Sequence, residues 1–468
     1  TVKKKMNTTS SKKFDMTYTF FCKTPFPMSS LKMSKSPWKR NTLICKPEQS
    51  GKTFLMIQKI IQSIEEPNDG RETVNFILCD NNLLLTEQTS FRIDHDLNGM
   101  TQHEKNYVEF SCHKRTDYHS LGDILDAITD EGVRNIISCT NRQRINDVDG
   151  IIRVLNSIEK HREKYVFRIW LDEADKFIKG LNDTFGPLLF EYMNIEIFCI
   201  TATPGRLFEA YGYMNTLPIK APISEVYHGW EDNHIHIHEP SHSFISDILS
   251  GPANSKIQPG TKWFIPAMIE KKSHHYVKEV CNLFGMAVAI VNGDGIIIKK
   301  PEEEIIEIIL DKDDVFNTKI KGIYETYELY KYPFVITGYY CIQRGITISS
   351  NDFLLDYAII SGFTDESSAS QVGGRTKGNQ RSWETYKPCE VYTTQQFHDI
   401  VVDYEKKSSS LGSFVYNKEQ VGNGTLVLEE EWERCHMVKY PRKIEGKGKK
   451  FYDWKIRKLD RYLQKCMC

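Results

Sequence analysis

Four short segments carry side chains suited to phosphate chemistry. The first is Lys46-Pro47-Glu48-Gln49-Ser50-Gly51-Lys52-Thr53, between an apolar run and a helical pattern. Binding a triphosphate takes inward-turned backbone N–H groups at a helix N-terminus, a lysine for the terminal oxygens and a hydroxyl for Mg²⁺. Gly51, Lys52 and Thr53 supply the last part of that set, while Lys46 stands where such a loop usually has its first glycine. The second segment is Asp172-Glu173-Ala174-Asp175, directly after the apolar run 165–171. Carboxylates at the carboxyl end of a buried parallel strand sit where a magnesium nucleotide would lie. Asp172 then holds the metal through water, and Glu173 orients or deprotonates an attacking water. A helix start decorated with acids reads the same way in isolation. Lying about 120 residues downstream of a Gly-Lys-Thr, the pair favours the metal site.

The third segment, Thr201-Ala202-Thr203-Pro204-Gly205, again follows an apolar run. Its hydroxyls can bond the acidic box and register whether a terminal phosphate is present, although a plain strand exit also favours Thr, Pro and Gly. The fourth, Gln371-Val372-Gly373-Gly374-Arg375, lies in the second half of the chain. An arginine delivered there onto a terminal phosphate stabilises charge spreading in the transition state. A surface arginine at a helix start is the bland alternative.

Parallel strands must position these groups. Apolar runs at 41–45, 74–79, 135–138, 165–171 and 195–200 alternate with helical stretches such as 53–64. The pattern pauses over Pro-, Gly-, His- and Asn-rich residues. It restarts at 262–266, 287–291, 334–337, 356–360 and 390–393. Strands separated by helices argue a parallel sheet covered on both faces, here twice over. The expected organisation is a flexible arm at 1–38, an α/β domain at 39–215, a connection at 216–259, a second α/β domain at 260–405 and a basic extension at 406–468, helical at 452–464.

With 468 residues the chain exceeds one hydrophobic core. A net charge of −1 sets no strong expectation of a polyanion partner, and no run approaches the roughly 18 apolar residues of a membrane span. The twelve cysteines are scattered with no Cys-x-x-Cys pair, which reads as reduced, intracellular cysteine.

The order Gly-Lys-Thr, Asp-Glu-Ala-Asp, Thr-Ala-Thr-Pro, Gln-x-x-Gly-Arg resembles superfamily 2 helicases over roughly residues 40 to 400. Parts of the second half, Trp263 to Ala267, Val291 to Gly295 and Gly374 to Asn379, are similar to helicase-like proteins of large DNA viruses and phages. The resemblance implies two tandem RecA-like domains with ATP and Mg²⁺ in the cleft between them. Nucleic acid would cross their upper faces, with DNA modestly favoured over RNA and the protein acting as a monomer. Residue by residue, it implies nucleotide contacts from Lys46 to Thr53 and at Gly345, and metal contacts at Thr53 and Asp172. It implies catalysis by Lys52, Asp172, Glu173, Gln371 and Arg375, and coupling through Thr201 and Thr203. Contacts to the sugar-phosphate backbone fall on Thr86, Gln88, Arg92, Thr140, Asn141, Thr337 and Gly338.

The departures bear on activity. No adenine-reading Gln motif precedes the phosphate loop, and the second arginine of the last motif would fall at Gly378, leaving Lys377 or Arg381 to substitute. The alternatives to a helicase are therefore an ATPase that remodels complexes without unwinding, or a catalytically weak scaffold. His234, His236 and His238 alternate with isoleucines, which in a strand puts three imidazoles on one face. An edge strand with a polar outer side is the expected reading, with a metal site as the rival. The basic tail carries Phe451, Tyr452, Trp454 and Tyr462 among its lysines and arginines, suited either to gripping single strands or to packing as a helix.

Overall fold

The structure, a computed structural model, describes residues 40–65, 70–79, 93, 107–111, 118–268, 271–292, 295–308, 316–338, 348–419 and 424–437. Nearly all of the expected elements in the described residues form.

The first lobe is built on Asn41–Cys45 (β1), Glu72–Cys79 (β2), Tyr107–Glu109 (β3), Asn135–Cys139 (β4), Tyr165–Asp172 (β5), Ile195–Thr201 (β6) and Tyr213–Thr216 (β7). They pair in parallel in the order β7-β1-β6-β5-β2-β4-β3. Helix α1 (Lys52–Glu65) buries Met56, Ile57, Ile60 and Ile61, one stripe at helical spacing, against Ile44, Ile77, Ile137 and Trp170 on one face of the sheet. On the other face, α2 (Leu121–Thr129) and α3 (Arg142–Ser157) bring Ile124, Ile128, Val148 and Ile152 against Leu43, Phe76, Leu78 and Ile169. Strands apolar on both sides are what this sandwich requires.

Register decides what meets at the upper edge. Cys45 lies opposite Thr201, and Asp172 lies opposite Ile200. The residues that follow β1, β5 and β6 therefore emerge side by side, and these are the phosphate loop, the acidic box and the Thr-Ala-Thr turn.

A short strand, Tyr227–His228 (β8), precedes the second lobe. That lobe contains His234–Ile237 (β9), Lys262–Phe264 (β10), Ala287–Asn292 (β11), Gly295–Lys299 (β12), Ile305–Ile308 (β13), Phe334–Gly338 (β14), Tyr357–Ile360 (β15) and, after Gly378–Asn379 (β16), Glu390–Thr393 (β17). Its sheet runs β13-β12-β11-β14-β10-β15-β17-β9, parallel except at the β11-β12-β13 meander. Strands β8 and β16 form a separate antiparallel pair. Two parallel-dominated sheets flanked by helices are the tandem RecA-like architecture that the resemblance implies.

Two stretches differ from expectation. Residues 216–259 do more than connect: β9 closes the edge of the second sheet, and Phe244, Ile248 and Leu249 pack into that lobe's apolar cluster. The boundary drawn at 405/406 lies inside one continuous helix, Gln395–Glu419 (α5), which follows Glu366–Gly373 (α4). Phe397 and Val401 of α5 belong to the second lobe's core, while Tyr404, Leu411, Phe414 and Val415 belong to the first lobe's. At 25 residues and 1.5 Å per residue, this strut is about 37 Å long. The chain then returns to the first lobe as Thr425–Leu428 (β18), antiparallel to β7, and Glu429–Arg434 (α6), whose Trp432 stacks on Phe208. Period and turn signals cannot show where a helix docks, because the apolar stripe of α5 looks the same whichever lobe covers it.

The arm at 1–38, the helix at 452–464 and most of the basic tail lie outside the described residues. Among the described residues no helix is long and apolar enough to cross a membrane.

Candidate active site

A cleft of about 270 Å³ lies where the two lobes meet. From the first lobe it is lined by Glu48, Gln49, Gly51, Lys52, Thr53, Phe54, Asp172 and Glu173; from the second come Gln371, Arg375 and Asn379. Lys52, Thr53, Asp172, Glu173, Gln371 and Arg375, expected from sequence to act together, thus converge on one cavity.

The loop from Lys46 to Thr53 bends tightly. Gln49 and Gly51 take positive φ angles of 57° and 88°, the latter suited to glycine alone among common residues. Leu55 N–H donates to the Gly51 carbonyl at 3.1 Å, so the helix starts directly from the loop. Ser50 turns its hydroxyl back onto the Pro47 carbonyl at 2.7 Å. Lys46, Pro47 and Ser50 are not among the cavity-lining residues. Burial, reinforced by the Lys52 charge, lowers the pKa of the half-buried Lys46.

At the end of β5, Asp172 and Glu173 are 6% and 3% exposed. Glu173 adopts left-handed backbone, φ 54°, a strained conformation for a residue with a Cβ. Its N–H donates to Asp172 Oδ1 at 3.1 Å, and its carboxylate accepts from the Gln371 side-chain amide at 3.1 Å. Asp175 turns away from the cavity. It accepts from Thr201 Oγ1 at 2.7 Å, from Thr203 Oγ1 at 3.1 Å and from Ser367 Oγ of the second lobe at 3.1 Å. The Thr-Ala-Thr turn therefore does bond the acidic box, and Gly205 N–H, just beyond it, donates to the Tyr404 hydroxyl of α5 at 3.0 Å.

On the opposite wall, Asp365 caps α4 by accepting from Ser368 N–H. That helix carries Ser367, Ser370 and Gln371 toward the first lobe. Arg375 follows one turn later, 3% exposed, its Nε donating to the Gln371 carbonyl at 3.4 Å. Ser367, Gln371 and Arg375 are spaced four apart, so the inward face of α4 could have been extended from Gln371 by helical spacing alone. Asn379, which accepts from Ser224 Oγ at 2.9 Å, had no comparable signal.

Neither candidate for the missing second arginine reaches the cavity. Lys377 is fully buried between Glu48 and Glu405, at 2.8 Å and 2.9 Å. Arg381 pairs with Asp232 at 2.6 Å near the surface. Burial works against the Glu48 charge, yet Lys377 and Lys52 hold its carboxyl below the usual range.

The expected nucleic-acid contacts fare unevenly. Thr86, Gln88 and Arg92 lie outside the described residues, as does Gly345, which was expected at the nucleotide. Asn141 caps α3, accepting from Arg144 N–H, and beside it Thr140 N–H donates to the Cys79 carbonyl at 2.8 Å. Thr337 and Gly338 are buried at the end of β14, a central strand of its sheet. His236 of the edge strand β9 stacks on Tyr392 at 4.8 Å and lies 3.6 Å from Glu390. No group of His, Cys, Asp or Glu among the described residues is arranged to hold a metal by protein ligands alone.

Thr53 and Asp172 offer the hard oxygen donors that Mg²⁺ takes when it is shared with a phosphate and waters. Lys52 and Arg375 bring positive charge from opposite sides.

No family model matches the chain, and no curated protein matches it. Among solved structures, the chain is similar to Dbp5 from S. cerevisiae bound to RNA and ADP BeF3, at 13% identity and a TM-score of 0.45, covering 85% of this chain and 88% of that one. It is similar to Mss116p bound to ssRNA and AMP-PNP, at 14% identity and a TM-score of 0.42, over 78% and 68% of the two chains. A third is the ATP-dependent Type ISP restriction-modification enzyme LlaBIII bound to DNA, at 14% identity and a TM-score of 0.46, over 85% of this chain but 31% of the other.

Proposed function

We propose that this protein is an ATP- and Mg²⁺-dependent motor of the superfamily 2 helicase type, which hydrolyses ATP to move on or unwind nucleic acid. The observation that carries the reading is the shared cavity: Lys52, Thr53, Asp172 and Glu173 line it from one lobe, and Gln371 and Arg375 from the other.

In this reading Lys52 binds the terminal phosphates. Thr53 and Asp172 would hold a magnesium ion, largely through water, and the ion would supply charge neutralisation. Glu173 accepts the proton of the attacking water, with its carboxylate oriented by Gln371. Arg375 stabilises the charge that builds on the transferred phosphoryl group. The bonds from Asp175 to Thr201, Thr203 and Ser367 tie the acidic box to both lobes. A change at the phosphate is thereby passed to the lobe interface and to the grip on a strand.

One observation favours a second reading. With Lys377 and Arg381 engaged elsewhere, Arg375 is the one motif arginine lining the cleft among the described residues. That suits a catalytically weak, helicase-like scaffold. ATPase turnover with and without single-stranded DNA or RNA, beside a strand-displacement assay, separates the readings. A Lys52→Ala protein that still binds and hydrolyses ATP normally sinks both.

A further inference from the structure

Lys377 is a buried cation that the proposed chemistry does not use. Its side chain is 0% exposed and bridges Glu48 of the phosphate loop, 1% exposed, to Glu405 of α5. The cluster is completed from several elements. Ser370 of α4 donates to the other Glu48 oxygen, the Tyr227 hydroxyl donates to the Glu48 carbonyl at 3.1 Å, and Trp230 N–H donates to Glu405 at 3.1 Å. Lys377 and Glu48 are buried there and Glu405 is partly exposed, and charges stripped of water in this way hold together only with such partners.

The same contacts press on the loop's shape. A Cβ on Gly374 would lie 2.7 Å from Glu48 Cβ, and one on Gly378 would lie 2.9 Å from Gln49 Cβ. The second lobe thus touches the loop at two consecutive residues, one of which, Gln49, holds a positive φ.

We propose that Lys377 is a positioning residue: through Glu48 it sets the phosphate loop from the opposite lobe. The loop is then shaped to take a nucleoside triphosphate while the lobes are together. Lys377 therefore acts on binding, and an arginine-like role on the terminal phosphate would act on turnover. The inference rests on the reading of the cleft as a nucleotide site.

The test uses the full chain and measures the Kd for Mg²⁺ with a non-hydrolysable ATP analogue, together with kcat and KM. Lys377→Met is expected to raise Kd and KM at least about tenfold with a much smaller change in kcat. Glu48→Gln should do the same, Lys377→Arg should keep more affinity than Lys377→Met, and the double variant should cost no more than the worse single one. Thermal unfolding of each variant is followed in parallel; if Lys377→Met does not fold, Glu48→Gln and Lys377→Arg carry the comparison. A fall in kcat at unchanged Kd, or a Glu48→Gln protein with wild-type affinity, overturns the inference. Wild-type binding abolished by Lys52→Ala but untouched by these variants defeats this proposal alone. A wild type that binds no nucleotide defeats the site reading with it.

Discussion

The Gln371 amide of the second lobe donates to the Glu173 carboxylate of the first at 3.1 Å, with both residues buried. A carboxylate on a strained backbone needs such a partner to keep one orientation. Removing the amide should leave nucleotide affinity nearly intact while lowering turnover. We expect Gln371→Ala to reduce kcat about tenfold or more. Glu173→Gln, which removes the proposed base, should reduce it about 10²–10⁴-fold. Steady-state ATPase and nucleotide titration read both quantities, and undiminished turnover in either variant contradicts the assigned roles.

Thr201 reaches Asp175 at 2.7 Å in a fully buried setting. Thr201→Val keeps the shape and removes the donor, leaving the carboxylate one partner short. The expected cost is about 1–3 kcal/mol in urea unfolding. If the proposed function holds, nucleic-acid stimulation of ATP hydrolysis should fall as well, because the bond lies between the acidic box and the turn. Unchanged stability would show that the hydroxyl contributes nothing there.

Acid should weaken the lobe interface through Glu48. Its folded pKa lies below the ordinary 4.5, so the folded protein binds fewer protons at this site than the unfolded chain. The stability this contributes is complete above 4.5 and fades as pH falls through the lowered value. Lys377 has the opposite sign: raised above 10.5, it contributes fully below that value and loses its contribution as pH rises through the raised one. Urea midpoints between about pH 7 and pH 3 should therefore drop more steeply for wild type than for Glu48→Gln. Parallel curves would show that the Glu48 charge is not linked to folding.

Trp432, 1% exposed, stacks on Phe208 at 5.6 Å and meets Tyr404 edge-on. Although near the end of the described chain, it fills the first lobe. Trp432→Ala should cost about 3–5 kcal/mol, visible as a lower melting temperature. A surface-like effect below about 0.5 kcal/mol would place the residue outside the core.

Most strand and helix positions were legible because buried parallel strands and amphipathic helices have distinct periods, as at 165–171 and 53–64. That Lys52, Thr53, Asp172, Glu173, Gln371 and Arg375 line one cavity could be anticipated because each lies at or near the end of such an element with a side chain of definite chemistry. The place of Glu405 could not, since an acid in the middle of an amphipathic helix carries no mark of burial. The role offered to Lys377 also looked open in one dimension, whereas its side chain is buried between Glu48 and Glu405.

By itself, then, the sequence determined two α/β lobes and the order in which the groups lining the cleft follow their strands, because side-chain period and turn chemistry are local. Which lobe α5 enters, that β18 returns to the first sheet, and that Lys377 meets Glu48 rather than the cavity were decided only by tertiary structure. Those outcomes depend on what packs against a face and on which buried charge finds a partner, and neither is encoded by neighbours along the chain.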